Sequence, residues 1–350
     1  MKLAPFKGGH RHIANKYGQF YVLLVIVLLL GVLPLPLGDS RYAIHLTIMA
    51  MIWSVVASSW DLLLGYAGIF SIGQVAIFTC GAYGSAMLTM HLHVSSWLGM
   101  AMGALVAGVI GILIGLPCLR LKGIYVALLT LAFFEALGPL LTVGRSLGTG
   151  GKGGLFPIPP LTIGSFHFSS DNLLPWYYVA LAIFSGCLYA LLRVIHSSFG
   201  LAFTALRDAE PLAESLGVNR YAVELAVTGF SSAMAGLAGG FYAHYVSMIS
   251  PRILGLDTFL FLLIMIIVGG VGRFPGSVLG AFTITFLDDL LRQFETYRLL
   301  ILGGLLVLLI IMMPGGLMGL ADSCAHRWVG WKRAKQRVEA ENAALKEEQA

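Results

Sequence analysis

Apolar residues in this chain come in long blocks, not in the short alternating or one-in-four patterns of a soluble fold. The blocks are Phe20–Leu37, Tyr42–Trp60, Leu62–Met90, Val94–Leu116, Gly123–Leu141, Leu173–Leu192, Val223–Ile249, Thr258–Gly272, Gly276–Leu290 and Leu299–Leu320. Most are near the roughly 20 residues that a helix needs to cross a bilayer core. The pattern predicts an all-α polytopic membrane protein with about ten transmembrane segments. The blocks ending at Gly272 and Leu290 are short enough to be tilted or re-entrant. The first block carries Pro34 and Pro36 and has no small-x-small cleavage site after it, so it reads as a retained span and not a signal peptide.

Polar and small residues refine this picture. Leu62–Met90 is too long for one straight crossing and is interrupted by Gly65, Gly68, Ser71, Gly73, Gln74, Gly81 and Gly84. Either the helix is broken or re-entrant, with unwound backbone held in protein or lining a wet cavity, or it is one tilted, tightly packed helix. Gly99, Gly103, Ala107, Gly111 and Gly115 recur every fourth residue and line one face of the fourth span. Ser232, Gly236 and Gly240, beside Ser231, Ala235 and Gly239, repeat the device in the seventh, and both stripes predict close helix packing.

Between spans, the stretch Arg193–Glu224 has its own periodicity. Phe199, Phe203 and Leu206 recur at helical spacing, with Arg207 and Asp208 beyond them, which predicts a short amphipathic helix. Pro211 suits the first turn of a second helix, and Gly217 a left-handed cap with Val218 as its apolar contact. The result is a bent knob, which either docks into a partner or lies on lipid headgroups.

Composition agrees with a membrane-embedded chain. Of 350 residues, 58% are hydrophobic and 11% charged, against about 25% charged in soluble domains. With both termini cytoplasmic, sixteen of the 22 Lys and Arg fall on the inner side and six on the outer, as the positive-inside rule requires. This divides the chain into a cytoplasmic segment 1–19, a membrane domain 20–320 with the cytoplasmic loop 193–224, and a solvated cytoplasmic tail 321–350. The net charge of +5 is spread over loops and tails, which excludes a nucleic-acid surface. Cys80, Cys118, Cys187 and Cys324 are far apart and indicate neither a disulfide framework nor a zinc site.

Candidate chemistry is sparse. The outer loop Thr142–Asn172 contains GTGGKGG, but Ser146 stands where a phosphate loop has its first Gly, and Gly153 follows Lys152 in place of Ser or Thr. It reads as a flexible loop, and the chain has no nucleotide site of its own. Glu135 is the clearest ionisable group within a span, either facing a solute path or partner, or bonded to His45 or His244. Asp61, Glu224, Asp288 and Asp289 read as boundary residues, and His91 and His93 have no third ligand for a metal. No HExxH, GxSxG or intramembrane nucleophile–base pair is present, so transport is expected, not catalysis, and no cofactor. An ion-coupled secondary transporter would show intramembrane charge pairs and an inverted repeat, and neither stands out.

Four stretches in order along the chain resemble permeases of branched-chain amino-acid ABC importers. They are DLLLGYAGIFSIGQVAIFTCGAYGSAMLT (Asp61–Thr89), GIYVALLTLAFFEAL (Gly123–Leu137), ALRDAEPLAESLGVNRYAVELAVTGFSSAMAGLAGGFYAHYVSMISP (Ala205–Pro251) and GGVGRFPGSVLGA (Gly269–Ala281). The extended N-terminus and the span count are similar to the LivM-type subunit more than to the shorter LivH-type. The resemblance implies a bacterial inner-membrane importer assembled from this chain, a second LivH-type permease, two cytoplasmic ATP-binding subunits and an extracytoplasmic solute-binding protein. Its cargo would be branched-chain or other hydrophobic amino acids, with urea, short amides or aromatic acids as the alternative on the same architecture. The family's ATPase-docking loop carries an EAA-x-x-x-G pattern. Here Gly217 keeps the glycine, whereas Pro211, Leu212 and Ala213 stand in place of Glu-Ala-Ala. The resemblance implies that Phe203, Arg207, Glu210, Pro211, Leu212, Ala213, Glu214 and Gly217 form the coupling loop, Glu210 and Glu214 being the charged contacts. Ser71, Gln74, Thr130 and Glu135 are the expected solute path.

Overall fold

A computed structural model describes residues 16–37, 40–121, 123–163, 166–168 and 172–291, with residue 293 and short pieces between 300 and 319. The N-terminal segment before Lys16, most of the Leu299–Leu320 block, Cys324 and the 321–350 tail lie outside the described residues.

The fold is almost wholly helical. Among the described residues the longer helices are α1 (Lys16–Val32), α2 (Arg41–Asp61), α3 (Gln74–Leu92), α4 (Ser96–Cys118), α5 (Ile124–Val143), α6 (Leu174–Ile195), α7 (Ser198–Ser215), α8 (Arg220–Val246), α9 (Leu256–Gly269) and α10 (Gly276–Leu291). Among the described residues, six helices are long and apolar enough to cross a membrane: Arg41–Tyr66, Gln74–Leu92, Ser96–Cys118, Ile124–Val143, Leu174–Ile195 and Arg220–Val246. The stretch Gly18–Val32 of α1, and α9, are apolar but shorter. The chain is therefore a multi-pass membrane protein with fewer full-length crossings in its described part than the apolar blocks suggest. In α9 the shortening is due to glycine. α9 stops at Gly269 because Gly270 (φ +106°) and Gly272 (φ +69°) turn the backbone into the left-handed region.

The centre of the bundle is the contact of α3, α4 and α8, and it rests on the two small-residue stripes. A Cβ on Gly103 would stand 2.6 Å from the Gly81 carbonyl oxygen and 3.0 Å from Ser85 Cβ. One on Gly81 would overlap the Gly236 backbone. Helix backbones this close exchange dispersion contacts that larger side chains would block. Around this centre, α2 is buried along nearly its whole length from Ile44 to Asp61. α1 runs antiparallel to α6, joined by Tyr177 Oη donating to the Leu30 carbonyl (2.6 Å) and by Gln19 and His196 (2.9 Å).

The 142–172 loop corrects the expectation of flexibility. Its apolar residues Leu155, Ile158, Leu161 and Phe168 are buried. Ser96 Oγ donates to the Pro160 carbonyl (2.9 Å), Trp97 Nε1 to Thr162 (2.9 Å), and His244 Nδ1 bonds the Pro159 carbonyl (2.7 Å). Leu155 also bridges Ile249, and Thr162–Ile163 pairs with Phe166–His167. The loop is a strap over the ends of α4 and α8, held because prolines supply carbonyls with no competing N–H and four apolar side chains fill the gaps beneath.

Candidate functional site

The Leu62–Met90 block is broken, and the break lies inside the bundle. α2 widens into a π-helical turn at Leu62–Tyr66, then seven residues, Ala67–Gly73, carry no helix before α3 begins. Trp60 Nε1 donates to the Ser71 carbonyl (2.7 Å), and Gln74 Nε2 to Ser59 Oγ (2.8 Å) and Ser231 Oγ (3.2 Å). Gln74 thus sits beside Ser59, seven residues before the end of the π turn, or about 10 Å back along the helix at 1.5 Å per residue. The chain folds back on itself, and α3 starts at depth.

Ser71 and Thr130 meet there, whereas the Gln74 amide turns to Ser59 and Ser231. Ser71, Gln74 and Thr130 are buried, and Thr130 Oγ1 accepts from the Ile72 N–H (2.9 Å), which ties the unwound segment to α5. The Gln74 Oε1 oxygen has no hydrogen-bond partner among the described residues. Glu135 does not join them. α5 buries only the face bearing Val126, Ala127, Thr130, Phe134, Leu137 and Leu141, and Glu135 is exposed on another. Neither histidine takes it up: His45 bonds Tyr245 Oη (2.7 Å), and His244 bonds Ser85 Oγ (2.9 Å) and the Pro159 carbonyl. The position of Glu135 within an apolar block gave its depth but not its direction.

α7 forms the bent pair. Ala209 leaves the helical region (φ −153°, ψ 73°), so the element is two helices end to end. Ser197 caps the first by accepting from the Gly200 N–H (3.4 Å). The second starts with Pro211 in its first turn and ends with Gly217 at φ +86°. The Gly217 N–H donates to Glu214 (3.0 Å) and the Val218 N–H to Ala213 (3.1 Å), the double closure of a Schellman cap. Phe203, Leu206 and Ala213 are buried and anchor the pair, whereas Leu212 (61% exposed) and Leu216 (78% exposed) project outward beside Pro211 and Glu214. Leu212 and Leu216, four residues apart, share one exposed face of the second helix.

Charges fasten this knob to the bundle. Arg220, the first residue of α8, pairs with Glu210 and with Glu224 (2.7 Å). Glu210 therefore points into the protein, and Glu214 is the candidate acid left on the outer surface. The i,i+4 spacing of Arg220 and Glu224 was a signal for one half of this triad, but the reach to Glu210 depends on the kink. Arg207 Nη1 donates to the Gly65 carbonyl (2.5 Å) and Nε to Asp208 (2.9 Å). Asp61 and Asp288, expected at the boundary, are buried, and Asp61 Oδ1 accepts from the Gly272 N–H (2.7 Å).

A cavity of ≈ 560 Å³ opens between the unwound segment, the end of α4, the start of α5 and α7, with Phe70, Phe203, Arg207, Glu210, Arg220 and Glu224 in its wall. A second, of ≈ 30 Å³, lies against Ser71, Thr130 and Thr228. The two share Ile69, Gly115, Cys118, Val126 and Thr228, so the polar break is approached from the α7 end. No group of three or more potential metal ligands occurs among the described residues.

A family model described as "Branched-chain amino acid transport system / permease component" matches residues 42–310. The chain belongs to this permease family. It is 30% identical over 317 residues to the high-affinity branched-chain amino acid transport system permease protein LivM of Salmonella typhimurium, covering 85% of this chain and 74% of that one. LivM of Escherichia coli K12 is 29% identical over the same shares. LivH of Escherichia coli O157:H7 is 22% identical over 286 residues, 76% of this chain and 91% of that one. No solved structure matches the chain. As a permease-family member, the chain is a transport component and not an enzyme, and the matched region holds the break, the kinked pair and both stripes.

Proposed function

We propose that this chain is the membrane-spanning subunit of an ATP-driven importer of branched-chain amino acids in the bacterial inner membrane, with residues 193–224 and both termini on the cytoplasmic side. The tip of α7 docks into separate ATP-binding subunits, a LivH-type permease completes the channel, and an extracytoplasmic binding protein delivers the solute. The observation that carries this reading is the capped, kinked α7 with Leu212 and Leu216 exposed at its tip, in a chain whose relatives are named as branched-chain amino acid transport permeases. Closure of the ATP-binding subunits moves the tip, and the stiff pair transmits that movement to the break at Ala67–Gly73. Coupling requires that the two end states differ in how well they hold the closed ATPase pair. Ser71, Gln74 and Thr130 line the path, their hydroxyl and amide groups supplying the few polar partners that a zwitterion sheds water to meet.

Reconstitution of the complex in proteoliposomes tests the reading. Uptake of radiolabelled leucine is expected to need enclosed or external ATP on the ATPase side and to persist in the presence of proton and sodium ionophores. Uptake by this chain alone, driven uphill by an ion gradient, would overturn it.

A further inference from the structure

The π-helical end of α2 needs a cap, and the bundle supplies it from another element. The last carbonyls of a helix have no N–H of their own turn to bond. The helix stops at Tyr66, with the Ala67 N–H returning to Leu62 (3.0 Å) and the Ile69 N–H to Leu63 (2.8 Å). The Gly65 carbonyl is taken by Arg207 Nη1 at 2.5 Å, across 142 residues of sequence. The fit is close on both sides. Gly68 holds φ +74°, and a Cβ there would stand 2.5 Å from Arg207 Cγ, so the arginine stem lies flat on the unwound segment. A Cβ on Gly65 would stand 2.5 Å from Asp61 Oδ1, the same oxygen that receives the Gly272 N–H. Arg207 is three-quarters buried at its side chain, and its second bond, to Asp208, fixes the guanidinium plane.

We propose that Arg207 is the positioning residue that couples α7 to the break: it faces its own subunit's unwound helix, not the docked partner, and drags that segment when α7 moves. From Gly65 the connection runs through Ala67–Gly73 to Ser71 and, through the Ile72 N–H, to Thr130 on α5. Every link is backbone or a short, partly buried polar contact, so displacement at one end arrives at the other. Lysine cannot replace this geometry, because only the guanidinium fork bonds Gly65 and Asp208 at once.

The inference rests on the proposed importer function, and the experiment separates the two. In the full reconstituted complex, ATP hydrolysis and leucine uptake are measured together for wild type, Arg207→Gln, Arg207→Lys and Gly68→Ala. ATP-dependent uptake by the wild type secures the importer reading independently. For Arg207→Gln the leucine carried per ATP hydrolysed is expected to fall about tenfold or more, the scale of one lost charge-assisted bond, with hydrolysis within about twofold of wild type. Gly68→Ala, which leaves every charge in place, is expected to lower the ratio in the same direction, and Arg207→Lys to lie between. An unchanged ratio in Arg207→Gln, whether both rates stay high or fall in parallel, overturns the inference. So does loss of the ATPase subunits from the purified Arg207→Gln complex, which would put the arginine at the docking surface.

Discussion

The close approach of α3 and α4 makes Gly103 a sharp test of how the bundle is held. A methyl group added there stands 2.6 Å from the Gly81 carbonyl oxygen, 3.0 Å from Ser85 Cβ and 3.1 Å from the Ser85 amide nitrogen. Carbon and carbonyl oxygen tolerate about 3.3 Å, so the shortfall is roughly 0.7 Å against main chain, which cannot swing aside as a side chain can. Separating the helices by that amount opens a gap that forfeits a quarter to a half of the dispersion well along the contact. Overpacking of this kind costs about 1–3 kcal/mol. Replacing glycine by alanine in mid-helix also returns up to about 1 kcal/mol through propensity, and the control must share that gain. Gly186 on α6 provides it, since a Cβ there meets nothing within 4 Å. Gly103→Ala is expected to be less stable than Gly186→Ala by about 1–3 kcal/mol, roughly 5- to 150-fold in the folding equilibrium. Reversible unfolding by denaturing detergent in mixed micelles, followed by tryptophan fluorescence, reads the difference. Equal midpoints for the two variants would refute the claim that backbone proximity holds the centre.

Three further outcomes follow from the knob. Arg220→Gln removes the cation that Glu210 and Glu224 share. With the three side chains 15–33% exposed, water screens part of the loss, and about 1–3 kcal/mol of stability is expected to go. A double-mutant cycle with Glu210→Gln checks this, and a coupling energy near zero would show that the pair does nothing. Gly217→Pro removes the N–H that closes onto Glu214 and forces φ from +86° to about −65°. It should abolish ATP-driven uptake while the subunit still inserts, whereas Gly217→Ala should cost only about 1–2 kcal/mol locally, and normal uptake by the proline variant would count against a rigid lever. Leu212→Asp paired with Leu216→Asp places charge on the exposed tip. Co-purification of the ATP-binding subunits is expected to drop at least about tenfold with no change in thermal stability, and full retention would move the docking site elsewhere.

Much of this architecture was legible in local chemistry. Gly65 through Gln74 combine glycines with polar side chains inside an apolar block, and that conflict marks where the helix unwinds. Phe199, Phe203 and Leu206 recur at helical spacing, and Pro211 and Gly217 act on their immediate neighbours, so the two halves of α7 and its C-terminal cap could be read locally. What could not be read depends on residues far apart in sequence. The inward turn of Glu210 depends on where the kink at Ala209 leaves it relative to Arg220. The burial of Asp61 depends on the Gly272 N–H, 211 residues away. Glu135 is exposed because α5 gives the bundle only one face, and an apolar block of twenty residues does not announce which face that is. The 142–172 strap was missed for the same reason: glycine and proline suggest freedom, but Leu155, Ile158, Leu161 and Phe168 find burial sites that only the assembled helices create.

That strap makes the two ends of the molecule unequal. At one end Ser96, Trp97 and His244 hold the carbonyls of Pro160, Thr162 and Pro159, which sews the rims of α4 and α8 to a single band of chain. At the other, the same helices stay packed through Gly115, Leu225 and Thr228, and an open chamber lies beside them. Any displacement of the strapped rim must break those hydrogen bonds and uncover the side chains beneath, whereas next to the knob the neighbouring volume is already empty.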